Sequence, residues 1–535
     1  MIRQIFGRHL FFILCIVALI ASISLGVHSP MGIALALFAG MLVLLGVWDM
    51  MQTEHAVLRN YPVIGHVRWL VETVRPELRQ YLIEDENAPV PFSRAQRSMV
   101  YRRAKGVSSD QPFGTLSDVY DTGYEFIQHS ARAHAPADPD GFRITIGNDQ
   151  CSQPYAASVF NISAMSFGAL SPNAVRALNK GAALGQFYHD TGEGSISAYH
   201  REFGGDLVWQ IASGYYGCRT EDGQFDPDKF ALQASSPQVR MIEVKLSQGA
   251  KPGHGGILPA RKLTAEIALT RGVPMGQDCI SPPSHSAFST PLEMLAFIAE
   301  LRRLSGGKPV GFKLCIGHGW EFMAIVKAML QSGIVPDFIV IDGGEGGTGA
   351  APAEFSDHIG TPMREGLLFV HNSLVGAGLR DKVKIGAAGR IISAFDIARA
   401  MALGADWVNA ARGYMFALGC IQSLSCHNNS CPSGVATQDA GRQRALVVKD
   451  KAERVRAYHD RTLHVLAELL AAAGLDHPAK IRPQHLARRI SPTEIRTFDR
   501  VFEYLAPGAL LTGDCAFEHY ADQWRIARAD SFDPA

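Results

Sequence analysis

Three cysteines fall within twelve residues: Cys420, Cys426 and Cys431, the last followed by Pro432. With nine cysteines in 535 residues, about 0.2 would fall there by chance. Thiolates on closely spaced loop positions are ligands for iron–sulfur clusters, and a proline after the last cysteine is common in such runs. Three thiolates without a fourth suit a three-iron, four-sulfur (3Fe-4S) cluster. Buried free thiols remain an alternative, as does a zinc loop completed by His427, although His427 adjoins Cys426 and its geometry is poor. A second signal is Lys313, which interrupts the apolar run Gly311-Phe-Lys-Leu-Cys315. An inward lysine in such a strand needs an anionic partner. That partner is either a carboxylate of the same fold or a flavin pyrimidine edge, which becomes negative on reduction. A third signal is a pair of small-residue runs, Gly386-Ala-Ala-Gly389-Arg390 and Asn409-Ala410-Ala411-Arg412-Gly413. Small residues let backbone N–H groups approach a phosphate; tight turns are the plainer reading. The run from Gly343 and Gly344 to Gly349 contains Gly-x-Gly-x-x-Gly. Pro352 and a loop follow it instead of an immediate helix, which argues against a dinucleotide site. It suits Gly-rich backbone folded over a flat cofactor.

These groups need elements to hold them. Pro309–Cys315, Phe338–Asp342, Val383–Gly386 and Trp407–Ala410 read as strands. Helical patterns alternate with them at Trp320–Gln331, Arg364–Ala377 and Ala394–Leu403. Such alternation implies parallel strands with crossover helices. Earlier strand candidates are Val159–Ser166, Phe187–His189, Arg240–Lys245 and Pro274–Cys279, which makes eight. The expected fold is α/β: a (β/α)₈ TIM barrel, with functional residues at the carboxyl ends of its strands. The expected domains are a two-helix transmembrane anchor over 1–50, a helical and irregular connector over 51–150, the barrel with its cysteine loop over 151–440, and a C-terminal helical cap over 441–535.

The region from Ile162 to Val448 resembles the FMN-binding synthase domain of glutamate synthases. The matching phrases include Ser163-Ala-Met-Ser-Phe-Gly-Ala-Leu-Ser171, Thr191-Gly-Glu-Gly194, Lys245-Leu-Ser-Gln-Gly-Ala-Lys-Pro-Gly-His-Gly-Gly256, Gly346-Gly-Thr-Gly-Ala-Ala-Pro352 and Cys431-Pro-Ser-Gly-Val-Ala-Thr-Gln-Asp439. The resemblance implies a barrel that holds FMN beside a three-iron cluster. It makes Cys420, Cys426 and Cys431 the cluster ligands. Lys313 would face the flavin, with Met165, Ser166 and Gln248 around its ring. Gly389 and its neighbours Gly386, Arg390, Ala410 and Ala411 would hold the phosphate, and Glu193 would belong to the substrate-side loop. This chain departs from the family pattern in four respects. No glutaminase domain with an N-terminal cysteine nucleophile precedes the barrel. No Gly-rich β-helix domain follows it, and no NAD(P)H module is visible. His254 stands where the family usually carries Glu.

The first fifty residues have a different character. From His9 to Trp48 there is no Asp, Glu, Lys or Arg, where about eight would be expected at the chain's overall charge density. Two apolar runs, Leu10–Val27 and Met31–Trp48, flank His28-Ser29-Pro30. Each of these 18-residue runs rises about 27 Å as a helix, close to the hydrocarbon thickness of a bilayer. Arg3 and Arg8 precede them and Arg59 and Arg68 follow, which places both ends in the cytoplasm by the positive-inside rule. The expectation is a multi-pass cell-membrane protein with a cytoplasmic barrel. Over the whole chain, 51 basic and 51 acidic residues cancel, which argues against nucleic acid as a partner.

Together these readings predict an oxidoreductase of the glutamate synthase type, acting on the CH–NH₂ group of donors. Electrons from an external donor protein would pass through the cluster and FMN to a 2-oxo or 2-imino acid, with 2-oxoglutarate plus ammonia giving glutamate as the family default. The rival reading is a non-catalytic, membrane-bound electron-transfer or scaffold subunit.

Overall fold

The computed structural model describes residues 2–26, 29–52, 55–85, 91–108, 110 and 112–535. Val27 and His28 of the expected hairpin turn lie outside the described residues. The chain forms two compact units, Met1–Val90 and Pro91–Ala535.

In the first unit, helix α1 (Ile2–Gly26) is followed by α2 (Pro30–Met51). Ser29 caps α2, its Oγ accepting from the Gly32 N–H at 3.0 Å, and Pro30 occupies the first turn, where its missing N–H costs nothing. The two helices meet at Gly26 and Gly32, where a Cβ on either would lie within 2.5 Å of the other's backbone. Among the described residues, α2 alone is long and apolar enough to cross a membrane. Its mean hydropathy is 2.3, and the apolar part of α1 is the shorter stretch Arg8–Ser24. Leu14, Ile20, Leu44 and Trp48 are exposed on the pair. A third helix, α3, spans Gly65–Leu78.

The second unit is built on a closed barrel of eight parallel strands. They are β1 (Phe160–Ile162), β2 (His189–Asp190), β3 (Leu207–Ile211), β4 (Val239–Lys245), β5 (Val310–Leu314), β6 (Phe338–Asp342), β7 (Lys384–Ala388) and β8 (Trp407–Ala410). The ring closes where Val408 of β8 pairs with Phe160 of β1. Both faces of the strands are covered, so they are almost wholly buried and read as apolar runs.

The structure corrects one strand assignment. The third barrel strand is Leu207–Ile211, not Pro274–Cys279. The run Leu-Val-Trp-Gln-Ile is completely buried, whereas Pro274, Met275 and Gly276 give little to a ladder. Only Cys279–Ile280 is extended there, pairing antiparallel with Ile257–Leu258 in a small hairpin apart from the barrel. The C-terminal region is also less helical than expected. The long helix α4 (Val448–Ala472) buries Val455, Tyr458, Leu466 and Leu470. Beyond it, Leu486–Ser491 pairs antiparallel with both Glu494–Thr497 and Glu125–Ile127, so a three-stranded sheet joins the connector to the C-terminal segment.

Candidate active site

Side chains alternate across a strand, so residues two apart share a face. Glu243 and Lys245 of β4 are such a pair, and Lys245 is the register partner of Lys313 on β5. Gln210 of β3 is the register partner of Glu243. These positions bring four polar groups together in the barrel. Lys313 Nζ lies 3.6 Å from Glu243 Oε2, both almost fully buried. Gln210 Nε2 donates to the same carboxylate. The Asp190 carboxyl is hydrogen-bonded to Glu243, and its Oδ1 accepts from the Gly192 N–H at 2.9 Å. Burial and the neighbouring Glu243 push Asp190 well above its usual value. Burial alone would lower Lys313. The acidic groups of Glu243, Asp342, Asp190 and Glu193 outweigh it and hold the lysine above its usual value.

Above it, the loops after β2 and β4 form the mouth. Glu193 Oε2 pairs with Lys245 Nζ at 3.2 Å, and Lys245 Nζ donates to Gln248 Oε1 at 2.6 Å. Burial would raise Glu193, but Lys245 and Arg271 pull it below its usual value and keep it ionised. A narrow cavity of about 20 Å³ opens here, lined by Glu193, Ser213, Lys245, Gln248, Lys251 and Pro282. Gly256 packs on the Glu193 carboxylate so closely that a Cβ would lie 2.0 Å from Oε1. Gly253 and Gly255 line the cavity, while the His254 ring stands edge-on to Phe355 at 4.9 Å.

The remaining expected residues divide into two groups. Met165 is buried and Ser166 half-buried in the turn after β1, where Gly192 (φ +63°) comes against their backbone. Gly343 and Gly344 follow β6, with their N–H groups donating to Ala388 O (2.9 Å) and Thr361 O (2.8 Å). They provide close packing: a Cβ on the facing Gly249 would lie 1.7 Å from Gly343 O. Gly386 lies within β7, against Trp407, which a Cβ would meet at 2.5 Å; it is not in the loop after the strand. Gly389 and Arg390 occupy that loop, and Ala410 and Ala411 lie at the end of β8. Arg390 adopts φ +48°, and its buried Nε has no partner. Burial and Arg390 push Arg412 down to about 10, and Arg412 Nη2 donates to Glu345 O at 2.8 Å. Two guanidinium groups near each other with an unfilled buried donor make a place for a phosphate.

The cysteine loop begins after the helix Arg412–Leu418. Burial pushes Cys420 up to about 12 and raises Cys426, and each thiol feels its neighbours in the trio. Burial also acts on Cys431, but hydrogen bonds from Ser433 and from the backbone of Ala436 and Val435 prevail and lower it. Lys262 Nζ, held at about 8 by burial, bonds the carbonyls of Ala169, Cys426 and Ala436. Among the described residues no three Cys, His, Asp or Glu side chains close into a metal cage. Backbone N–H groups of Ser433, Val435 and Ala436 gather at the Cys431 sulfur.

Sequence reasoning gave no role to Asp190, Gln210, Glu243, Lys245 or Arg412. Glu243 and Lys245 carried the same signal as Lys313, a charge inside an apolar strand.

Comparison with known proteins adds the family. A family model described as a conserved region in glutamate synthase matches residues 128–476. The chain is 39% identical over 493 residues to the glutamate synthase large subunit-like protein YerD of Bacillus subtilis, covering 85% of this chain and 93% of that protein. It is 36% identical over 330 residues to the archaeal-type glutamate synthase [NADPH] of Thermotoga neapolitana, covering 61% of each. A mandelate oxidase crystal structure aligns with a TM-score of 0.41 at 14% identity, covering 75% of this chain and 98% of that one.

Proposed function

The chain belongs to the glutamate synthase family, and from that premise we propose that it is a flavoprotein oxidoreductase acting on the CH–NH₂ group of donors, anchored to the cell membrane. Its substrate is a 2-oxo acid that condenses with ammonia to a 2-imino acid, with 2-oxoglutarate giving glutamate as the default. Bound FMN would supply the hydride chemistry, and an iron–sulfur group held by Cys420, Cys426 and Cys431 would supply electrons from an external donor protein. The residues of the barrel do the rest. Arg390 and Arg412 would hold the cofactor phosphate through charge-assisted hydrogen bonds. The Gly249–Gly343 contact lets two loops close over a flat ring, beside Met165, Ser166 and Gln248. Lys245 and Lys251 give the mouth a positive potential that favours an anionic acid. Glu193, kept ionised by Lys245, stands ready to orient an ammonium or iminium group.

The observation that carries this reading is Lys313: a buried lysine at the end of β5, 3.6 Å from the Glu243 carboxylate and held above its usual value by the acidic groups around it. Such a charge stabilises a ring that becomes anionic on reduction. The test is anaerobic photoreduction of the purified chain, followed by a screen of 2-oxo acids with ammonia. The reading expects flavin reoxidation with at least one pair. No reoxidation by any pair, with the flavin fully reducible, overturns it.

The membrane part of the proposal rests on the uncharged run His9–Trp48 and the exposed apolar faces of α1 and α2. The arginines at both ends put the barrel on the cytoplasmic side.

A further inference from the structure

Helix α3 is amphipathic, and its apolar side is exposed, with no partner among the described residues of its own unit. At 3.6 residues per turn, Val67, Leu70, Val71, Val74 and Leu78 form one stripe about 100° wide. All five are exposed, Leu70 by 64%. The turn that continues α3, Arg79–Ile83, adds exposed Tyr81, Leu82 and Ile83. The small core of this unit is made by Phe12, Cys15 and Val63 with residues of α1 and α2, and no stripe residue belongs to it. Arg68 and Arg75 border the stripe on one side, with Glu72 beyond them and paired to Arg75 at 3.5 Å.

The depth of α3 is set by Asp49. This is the first Asp, Glu, Lys or Arg after the forty uncharged residues from His9 to Trp48. It is fully buried in the last turn of α2. Its Oδ2 accepts from the Val63 N–H at 2.8 Å, and its Oδ1 meets His66 Nε2 at 2.8 Å. The first turn of α3 is thus tied to the point where the apolar helix ends.

We propose that α3 lies in the plane of the membrane surface, with its apolar stripe seated at the boundary of phospholipid headgroups and acyl chains. The inference rests on α1 and α2 being in the bilayer. If that run occupies the hydrocarbon, the Asp49 tie places α3 at the interface and nowhere deeper. The stripe then finds the apolar surface it lacks among the described residues of its own unit. Arg68 and Arg75 lay their methylene stems along the stripe and direct their charges to the headgroups. An interfacial helix needs a wide apolar face, a charged opposite face and low net hydrophobicity, and α3 has all three.

The experiment uses the full chain in vesicles of phosphatidylcholine and phosphatidylglycerol. Leu70→benzoylphenylalanine and Val74→benzoylphenylalanine place a photoreactive group on the stripe, and Glu72→benzoylphenylalanine places it on the polar side. All three positions are exposed, so the fold tolerates them. Lipid adducts from 70 and 74, with their loss at 72, are expected. Adducts to protein from 70 and 74, whether to the barrel unit or to a second copy, overturn the proposal, as does an absence of adducts. Carbonate extraction of the unsubstituted chain reads the hairpin separately. A chain released by carbonate sinks the membrane reading and this proposal with it, whereas a chain retained without lipid adducts sinks this proposal alone.

Discussion

Lys313→Met should cost the protein more stability than any surface substitution, and Glu243→Gln on top of it should restore most of the loss. The reason is the charge count inside the barrel. Lys313 and Glu243 form a buried ion pair whose nearest atoms are 3.6 Å apart. With an effective dielectric constant of about 20, Coulomb's law gives about 4–5 kcal/mol for that separation. Removing the lysine leaves the buried Glu243 without its cationic partner, with Gln210 as a donor, and breaking one side of such a pair costs about 3–5 kcal/mol. Removing both charges leaves a neutral, hydrogen-bonding glutamine beside Gln210 and Asp190. Pairs replaced in this way are often nearly neutral, so the double variant should lie within about 1–2 kcal/mol of the unsubstituted protein. The assay is denaturant unfolding followed by tryptophan fluorescence. Trp209 and Trp407 are fully buried in the barrel wall and report its opening. The four proteins form a double-mutant cycle. The reasoning fails if Lys313→Met costs less than about 1 kcal/mol, or if the double variant loses the sum of the two single losses. The flavin separates stability from function: the double variant should fold well, yet its flavin should reduce at a lower potential, because the ammonium is gone in both lysine variants.

Other consequences follow from the same geometry. Burial holds His189 at about 3 and His285 and His371 at about 4, with His200 well below its usual value. Their folded values lie under the unfolded one, so their contribution is present above about pH 6.5 and is lost as pH falls toward 4, by about 1.4 kcal/mol per pH unit for each histidine; a melting temperature that stays constant from pH 7 to pH 5 would contradict this. Arg390→Ala removes a charge-assisted donor to the cofactor phosphate, so FMN should bind about ten- to a hundredfold more weakly, as fluorescence titration of the apoprotein would show; unchanged affinity would place the phosphate elsewhere. Cys426→Ser should abolish bound iron and acid-labile sulfide while the yellow flavin remains, since the proposed phosphate site at the ends of β7 and β8 does not include the cysteine loop. Zinc without iron in the anaerobically purified, unsubstituted protein would refute the cluster assignment.

Sequence alone determined several things about this protein, and for a common reason. Cys420, Cys426 and Cys431 are close in the chain, so their association needed no fold to be seen. The uncharged run His9–Trp48 declares itself by composition. Lys313 is conspicuous because a parallel strand buried on both faces admits no charge without a partner. Seven of the eight barrel strands were legible for the same reason. Leu207–Ile211 was not, because a five-residue apolar run has no period to separate strand from helix. The partners of Lys313 belong to the tertiary structure. Asp190, Gln210 and Glu243 come from three different strands, and they meet only because β2, β3, β4 and β5 pair side by side in the barrel. Arg390 and Arg412 likewise come together only at the ends of β7 and β8. Gly386 shows the converse. In the sequence it belongs to a small-residue run fit for a phosphate, but the twist of the barrel turns it against Trp407, where the absence of a Cβ makes room for an indole.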